Sequence, residues 1–575
     1  MRVRRATMLT VLAAIAPATA SSQKGGQGAG VARFGVSMPM RDGVNLVANI
    51  WLPDTTAKHP TILIRTPYDK TPQFKRYKLA AYVKRGYAVV LQDTRGRGDS
   101  GGEFDFYFPE GTDGYDTIEW IAKQPWSNGR VAMDGGSYLG TVQWLAARER
   151  PPHLVCIAPY VSSGRLFDEI PYLGGAFRLD WALSWLNQIS GRVSQSDLNE
   201  LVSWDSLLRK RPLTSLDARM GRSMPIYQAM LAHSTLDDYW KRISFTADDF
   251  KKISIPTLTV TGWFDGDQAG ALSYWDGIEA NGPNKEQSYL IIGPWNHGQT
   301  YLGGARKIGE IELAQQSILD SQAIRLAFFD WCLARKTPAF DSPRVRTYLT
   351  GSDRWVMLDR YPAPNQEIRS LFLHSGGRAN TLNGDGRLSW TPPDEEPNDR
   401  FSYDPANPVP AKGATSDHRS IEAREDVLVY TSEALTDSLD VLGRVFVQLH
   451  ASSDATDTDF TAKLLDVYPD GRAVALGPIA VGVRRARYRN GYDRTELLVP
   501  NKPERFSIEL FDIGHSLLPG HRIRVEISSS AAPFISPNPN TGNPIATDTT
   551  WKVANQTIYH DRNRASAVLL PVLTR

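Results

Sequence analysis

The stretch Val131-Ala132-Met133-Asp134-Gly135-Gly136-Ser137-Tyr138-Leu139-Gly140 constrains this chain more than any other. A short apolar run enters it, and a helix-like run, Thr141 to Arg148, leaves it. Small residues crowd the junction. That pattern suits a strand-to-helix turn with a reactive side chain at its apex, where bulk at Gly135 or Gly140 would collide with neighbouring backbone. The Ser137 hydroxyl would project from the fold above a new helix N-terminus, whose free N–H groups can hold an oxyanion. The spacing is G-x-S-Y-x-G, with the second glycine one residue later than in G-x-S-x-G. Taken alone, the decapeptide fits an ordinary Gly-rich turn equally well.

The surrounding pattern favours the reactive turn. Apolar runs at Thr61–Ile64, Tyr87–Leu91, Val131–Met133 and Val155–Ala158 read as buried parallel strands, with helical patterns such as Tyr115 to Lys123 between them. This alternation predicts an α/β doubly wound sheet over residues 31–160. Residues 161–252 turn rich in Trp, Leu and Arg with helical spacing, and apolar strand runs vanish. A helical cap over the sheet's active edge is expected, its aromatic residues serving packing. Strand signals return at Thr257–Val260 and Ser288–Ile292 within 253–340, and the run Ala314 to Leu333 is expected to close the sheet as a helix. From 341 to 575 many short alternating segments separated by turns, Pro469-Asp470-Gly471 among them, predict a jelly-roll β-sandwich. The Pro-rich stretch Thr391 to Ala414 reads as a long loop.

The chain opens as an export signal at residues 1–20. Met1-Arg2-Val3-Arg4-Arg5 is basic, Met8 to Ala16 is apolar but too short to span a bilayer, and Ala18-Thr19-Ala20 fits a cleavage site. An exported protein, periplasmic or secreted and without a membrane span, is expected. Net charge is only +2 and no basic run occurs, so nucleic acid is not an expected partner. No C-x-x-C or H-E-x-x-H is present, so neither a metal nor another cofactor is expected. The two cysteines, Cys156 and Cys332, sit in apolar or helical runs. Two buried thiols are expected, and export leaves a single disulfide open. A homo-oligomer is left open as well. Gly96-Arg97-Gly98-Asp99-Ser100-Gly101 fits G-x-G-x-x-G, but no helix pattern follows, so it reads as a flexible loop and not as a dinucleotide site.

The two later strands each run into a Trp-bearing loop, Gly262-Trp263-Phe264-Asp265-Gly266-Asp267 and Gly293-Pro294-Trp295-Asn296-His297-Gly298. Ligands of open α/β sheets bind beyond the carboxyl ends of the strands, so both loops fall at the edge that carries Ser137. The order Ser137, Asp265, His297 is that of an α/β-hydrolase triad. In that reading Ser137 is the nucleophile, His297 the base and then the acid, and Asp265 the group that holds the imidazole tautomer. Asp267 is a rival for the acidic role, or a substrate contact. The competing view, a binding protein with a vestigial hydrolase domain, finds little support because no triad residue is missing.

Taken together, Arg65-Thr66-Pro67-Tyr68-Asp69-Lys70, Asp93-Thr94-Arg95-Gly96-Arg97-Gly98, the Ser137 turn, the two Trp loops, Asp457-Thr458-Asp459-Phe460 and Asp466-Val467-Tyr468-Pro469-Asp470-Gly471 resemble the cocaine esterase / non-D-Ala hydrolase (CocE/NonD) family. The resemblance covers essentially the whole mature chain. It implies an α/β-hydrolase domain, a helical cap and a C-terminal jelly roll. It also implies hydrolysis of small-molecule esters or amides through an acyl-enzyme, and an oxyanion hole at Tyr68 and Tyr138. Gly175-Ala176-Phe177-Arg178 and Gly270-Ala271-Leu272-Ser273-Tyr274 are most similar to the α-amino acid ester hydrolases, with glutaryl acylases and Xaa-Pro dipeptidyl peptidases as further relatives. The former implies a carboxylate cluster for a substrate ammonium, placed here at Asp267 and, in the cap, at Asp168 or Glu169, with Gln268 where a further acid is expected.

Overall fold

Seven parallel strands form the centre of the first sheet, and their order explains where the loops meet. In the computed structural model, which describes residues 22–24, 30–479 and 481–574, the sheet runs Ser22–Lys24, Val31–Pro39, Asn45–Leu52, Ala88–Asp93, His59–Thr66, Ser127–Gly136, Leu154–Tyr160, Thr257–Phe264, Ser288–Asn296, Val345–Leu349, Arg354–Leu358. The parallel part extends from Ala88–Asp93 to Val345–Leu349. Its strands are almost continuously apolar because helices cover both faces, and Thr257–Phe264 is buried at every position. The expected export segment, residues 1–20, lies outside the described residues.

The strand Ser127–Gly136 lies between His59–Thr66 and Leu154–Tyr160, near the middle of the sheet. The long helix Ser321–Cys332 backs this region. Its buried Arg325 reaches 3.4 Å from Asp134, whose other oxygen accepts from Tyr82 Oη at 2.7 Å. A charge placed this deep requires such partners. The helix begins later than the Ala314 to Leu333 pattern suggests, because Asp320 caps it by accepting from the Ala323 N–H.

The same helix corrects the expectation for the cysteines. Cys156, on the strand beside the Ser137 strand, is disulfide-bonded to Cys332 at the helix end, with the Cα atoms 6.3 Å apart. Two settings that each suit a thiol are brought together by the fold, Cys156 fully buried and Cys332 half-buried.

Three further expectations change. The cap opens with short strands, Leu166–Phe167, Ile170–Leu173 and Ala176–Phe177, before its helices, of which Leu179–Ile189 is the longest. Their two-to-four-residue length hides them from any periodicity. Val345–Leu349 and Arg354–Leu358, counted with the jelly roll from the sequence, instead extend the first sheet beside Ser288–Asn296. The Thr391 to Ala414 stretch holds a strand, Asp399–Tyr403, paired with Ala554–Tyr559.

The remainder is the expected β-sandwich. Twelve strands, nearly all antiparallel, wrap a separate core that includes Val445, Val447, Phe460, Phe506, Val525 and Val568. This β-rich part packs on both other parts. Gln268 Nε2 donates to Asp512 O at 2.9 Å, and the Ser536 N–H to Phe177 O at 2.8 Å.

Candidate active site

Ser137 has φ 61° and ψ −130°, a left-handed conformation that non-glycine residues avoid. The turn is sterically over-determined. A Cβ on Gly135 would stand 2.6 Å from Leu139 Cβ, one on Gly136 2.3 Å from the Tyr160 ring, and one on Gly140 2.9 Å from Ser162 Cβ. The expected crowding at Gly135 and Gly140 is therefore present, and Gly136 adds to it. The helix Tyr138–Arg148 starts at once behind the serine, so its first N–H groups lack intrahelical acceptors.

Ser137, His297 and Asp267 line one cavity of about 390 Å³, together with Tyr68, Tyr138 and cap residues. His297 Nδ1 lies 2.8 Å from Asp265 Oδ1. Asp265 is fully buried and accepts from Thr261 Oγ1 at 3.1 Å. The Nδ1 bond leaves Nε2 as the nitrogen that can exchange a proton with a ligand. His297 opens the helix His297–Leu302 behind a capping box made by Asn296 and Gln299, which fixes the loop bearing the imidazole. Burial pushes the imidazole down, but the Asp265 charge and hydrogen bond, with Asp267 adding to them, outweigh it and raise the pKa to about 9. The side chain keeps 39% exposure, so water screens part of this attraction.

Tyr68 follows the strand His59–Thr66, and its phenol accepts from Trp185 Nε1 at 2.9 Å. Burial raises the phenol pKa against hydrogen bonds from Trp185 and Ser137, so the group stays a protonated donor beside the serine. Tyr138 differs. Its ring is buried and its hydroxyl donates to Phe106 O and to Glu110 Oε1, leaving only its backbone N–H for an oxyanion.

The Gly96 to Gly101 segment, read as a flexible loop, is pinned. Arg97 is fully buried and donates to Pro67 O at 2.8 Å and to Ile189 O, while Ser100 Oγ donates to Asp93 O at 2.7 Å. Lys70 bonds Asp93 at 2.6 Å beneath it. A Cβ on Gly98 would stand 2.2 Å from the Asp93 carboxylate. The loop thus fixes the backbone before Tyr68 and joins it to the end of the cap helix.

The two candidate substrate acids part company. Asp267 lines the cavity, 3.7 Å from His297 Nδ1. Burial lifts its carboxyl to about 6, against the His297 charge and with help from Asp265. Glu169 is 1% exposed and accepts backbone N–H groups of Gly164, Arg165 and Gly270 at 3.0, 3.2 and 2.9 Å. It stands behind the cavity wall and ties the cap entrance to the helix after Asp267, which corrects its expected role as a direct contact. Burial, reinforced by the Asp267 charge, raises its pKa. Asp168 is paired with Arg165 and accepts from the Gly174 N–H. Gln268 is buried, bonded to Trp263 O and Asp512 O.

Several cavity residues were not singled out from the sequence as site residues. Trp181 and Trp185, expected to pack, stack on each other with centroids 5.3 Å apart and also face the cavity. Arg76, Arg178, Gln188, Asn199 and Tyr301 join them from four separate elements. Asp265, Asp267 and His297 have ligand atoms within 4.8 Å of one another; the hydrogen bond between Asp265 and His297 already accounts for that closeness.

Residues 42–299 match the X-Pro dipeptidyl-peptidase (S15 family) model, and residues 338–569 match the X-Pro dipeptidyl-peptidase C-terminal non-catalytic domain. Cocaine esterase of Rhodococcus sp. (strain MB1 Bresler) is 35% identical over 580 residues, covering 94% of this chain and 98% of that one. Two solved structures superpose with TM-score 0.82. One is an aminopeptidase from a marine sediment Thaumarchaeota archaeon, 26% identical over 97% of this chain and 96% of its own. The other is an α-amino acid ester hydrolase, 27% identical over 94% and 96%. With an α/β-hydrolase sheet, a cap, a C-terminal β-sandwich and this degree of likeness, the chain belongs to the cocaine esterase (CocE/NonD) family of serine hydrolases.

Proposed function

We propose that the protein cleaves carboxylic esters or amides through an acyl-enzyme formed on Ser137, with His297 and Asp265 completing the triad. The observation that carries this reading is the pairing of His297 with buried Asp265 in the cavity that holds the strained Ser137 turn. His297 Nε2 removes the Ser137 proton as Oγ attacks the carbonyl carbon. The Tyr68 hydroxyl and the Tyr138 N–H stabilise the oxyanion. The imidazolium then gives its proton to the departing alkoxide or amine, and Asp265 holds it upright throughout. Water, activated by the same imidazole, releases the acid. Ser137→Ala should abolish turnover of activated esters and labelling by a fluorophosphonate; full activity in that variant would end this reading.

A second, narrower reading is supported by Asp267. An acid raised by burial at the cavity wall fits a substrate ammonium, which suits an α-amino acid ester or β-lactam amide. The likeness to an α-amino acid ester hydrolase points the same way. Phenylglycine methyl ester against its des-amino analogue tests it, since absence of any preference for the free amine removes the support. Export through the basic, apolar and A-x-A segment of residues 1–20 completes the proposal; fractionation of producing cells and N-terminal sequencing of the mature chain check it.

A further inference from the structure

One cation of the cavity has no ion-pair partner among the described residues. Arg178 stands at the head of the cap helix Leu179–Ile189, lines the cavity and is 8% exposed. Its Nε has no hydrogen-bond partner among the described residues, and its guanidinium enters no ion pair within 4.0 Å there. Asp180 and Asp267 feel its charge only through space. The group is not loose, for it lies over the Phe534 ring at 4.7 Å, a residue contributed by the β-rich part. A held, largely desolvated guanidinium without a counter-ion is costly unless a ligand supplies one. Its planar fork matches a carboxylate. The cap wall beside it is lined by the neutral polar side chains of Ser184, Gln188 and Asn199, and Arg76, from the α/β domain, adds a second cation to the cavity, which also holds Asp267 and His297.

We propose that Arg178 is a specificity-determining residue that anchors a carboxylate carried by the substrate. This rests on the reading that Ser137 attacks in the same cavity. The carboxylate can sit on the acyl side or on the leaving-group side, and the two are separated by experiment. In either position it pairs with Arg178 and leaves the reacting carbonyl to Ser137 and the oxyanion donors.

On the acyl side, monoethyl esters of succinic, glutaric and adipic acid are compared with the corresponding neutral ω-amides. On the leaving-group side, O-acetyl-3-hydroxypropanoate is compared with its amide. A wild-type preference for the acid on one of these arms is expected, expressed as a kcat/KM ratio. Arg178→Gln should lower that ratio by roughly tenfold to a hundredfold, the range for a lost charge-assisted hydrogen bond, and Arg178→Lys should restore part of it. Equal rates for acid and amide on both arms, or a ratio unchanged by Arg178→Gln, overturns the proposal. If no ester is turned over by the wild type, the Ser137 reading fails instead. Calorimetry with free glutarate then decides Arg178 by itself: binding by the wild type that Arg178→Lys keeps and Arg178→Gln loses sustains the anchor, and no binding refutes it.

Discussion

Asp267→Asn tests the electrostatics of the site most directly. Asp267 Oδ2 lies 3.7 Å from His297 Nδ1, and its charge is one of the influences that raise the imidazole pKa to about 9. At that separation two unit charges attract by ~4 kcal/mol at an effective dielectric near 20 and by ~1 kcal/mol in bulk water. The imidazole is 39% exposed, so the lower part of that range applies, about 1–2 kcal/mol or roughly one pKa unit. The sign follows from the role of the base. In the proposed mechanism His297 must be neutral to accept the Ser137 proton, so a raised pKa would confine activity to the alkaline side, with activity falling as pH drops through it. Removing the Asp267 charge lowers that pKa, because the carboxyl, at about 6, is ionised where the imidazole titrates. The assay is the pH profile of kcat/KM for a small neutral activated ester, which reports the free enzyme. The acid limb, displaced upward from the ordinary histidine range in the wild type, should move down by about one unit in the variant. A limb that stays in place or moves up would refute the proposed coupling. The limb belongs to the coupled set of groups, so its apparent midpoint is the quantity compared.

Two further outcomes are expected. Tyr68→Phe removes the phenolic donor while keeping the ring, so kcat should fall by roughly a hundredfold or more with little change in KM, whereas a purely packing role for Tyr68 would leave kcat nearly intact. Cys156 and Cys332 close a loop spanning 176 residues, so Cys332→Ser should lower the unfolding free energy by about 2–4 kcal/mol; peptide mapping without reductant should recover the linked pair in the wild type, and recovery of two alkylated free thiols would contradict it.

The resting base raises a mechanistic point. A histidine held mostly protonated would be a poor acceptor at neutral pH, yet in the proposed mechanism the same Asp265 and Asp267 charges would stabilise the imidazolium formed as Ser137 attacks. A substrate ammonium beside Asp267 would screen that carboxylate and lower the imidazole pKa, so binding would itself ready the base.

Positions set by a local chain pattern were legible in the sequence. Ser137 lies at a strand-to-helix junction crowded by glycines, Asp265 and His297 each follow an apolar strand, and all of these signals span fewer than about ten consecutive residues. Short-range sterics and hydrogen bonding set such elements. Tertiary structure alone decided the rest. Whether Cys156 meets Cys332, whether Glu169 faces substrate or backbone, whether Val345–Leu349 joins the first sheet or the second, and that Arg178 rests on Phe534 all depend on contacts between distant segments. Burial and charge at a position are properties of what packs around it, and in a cavity built from an α/β sheet, a cap and a β-sandwich most of those neighbours lie far away along the chain.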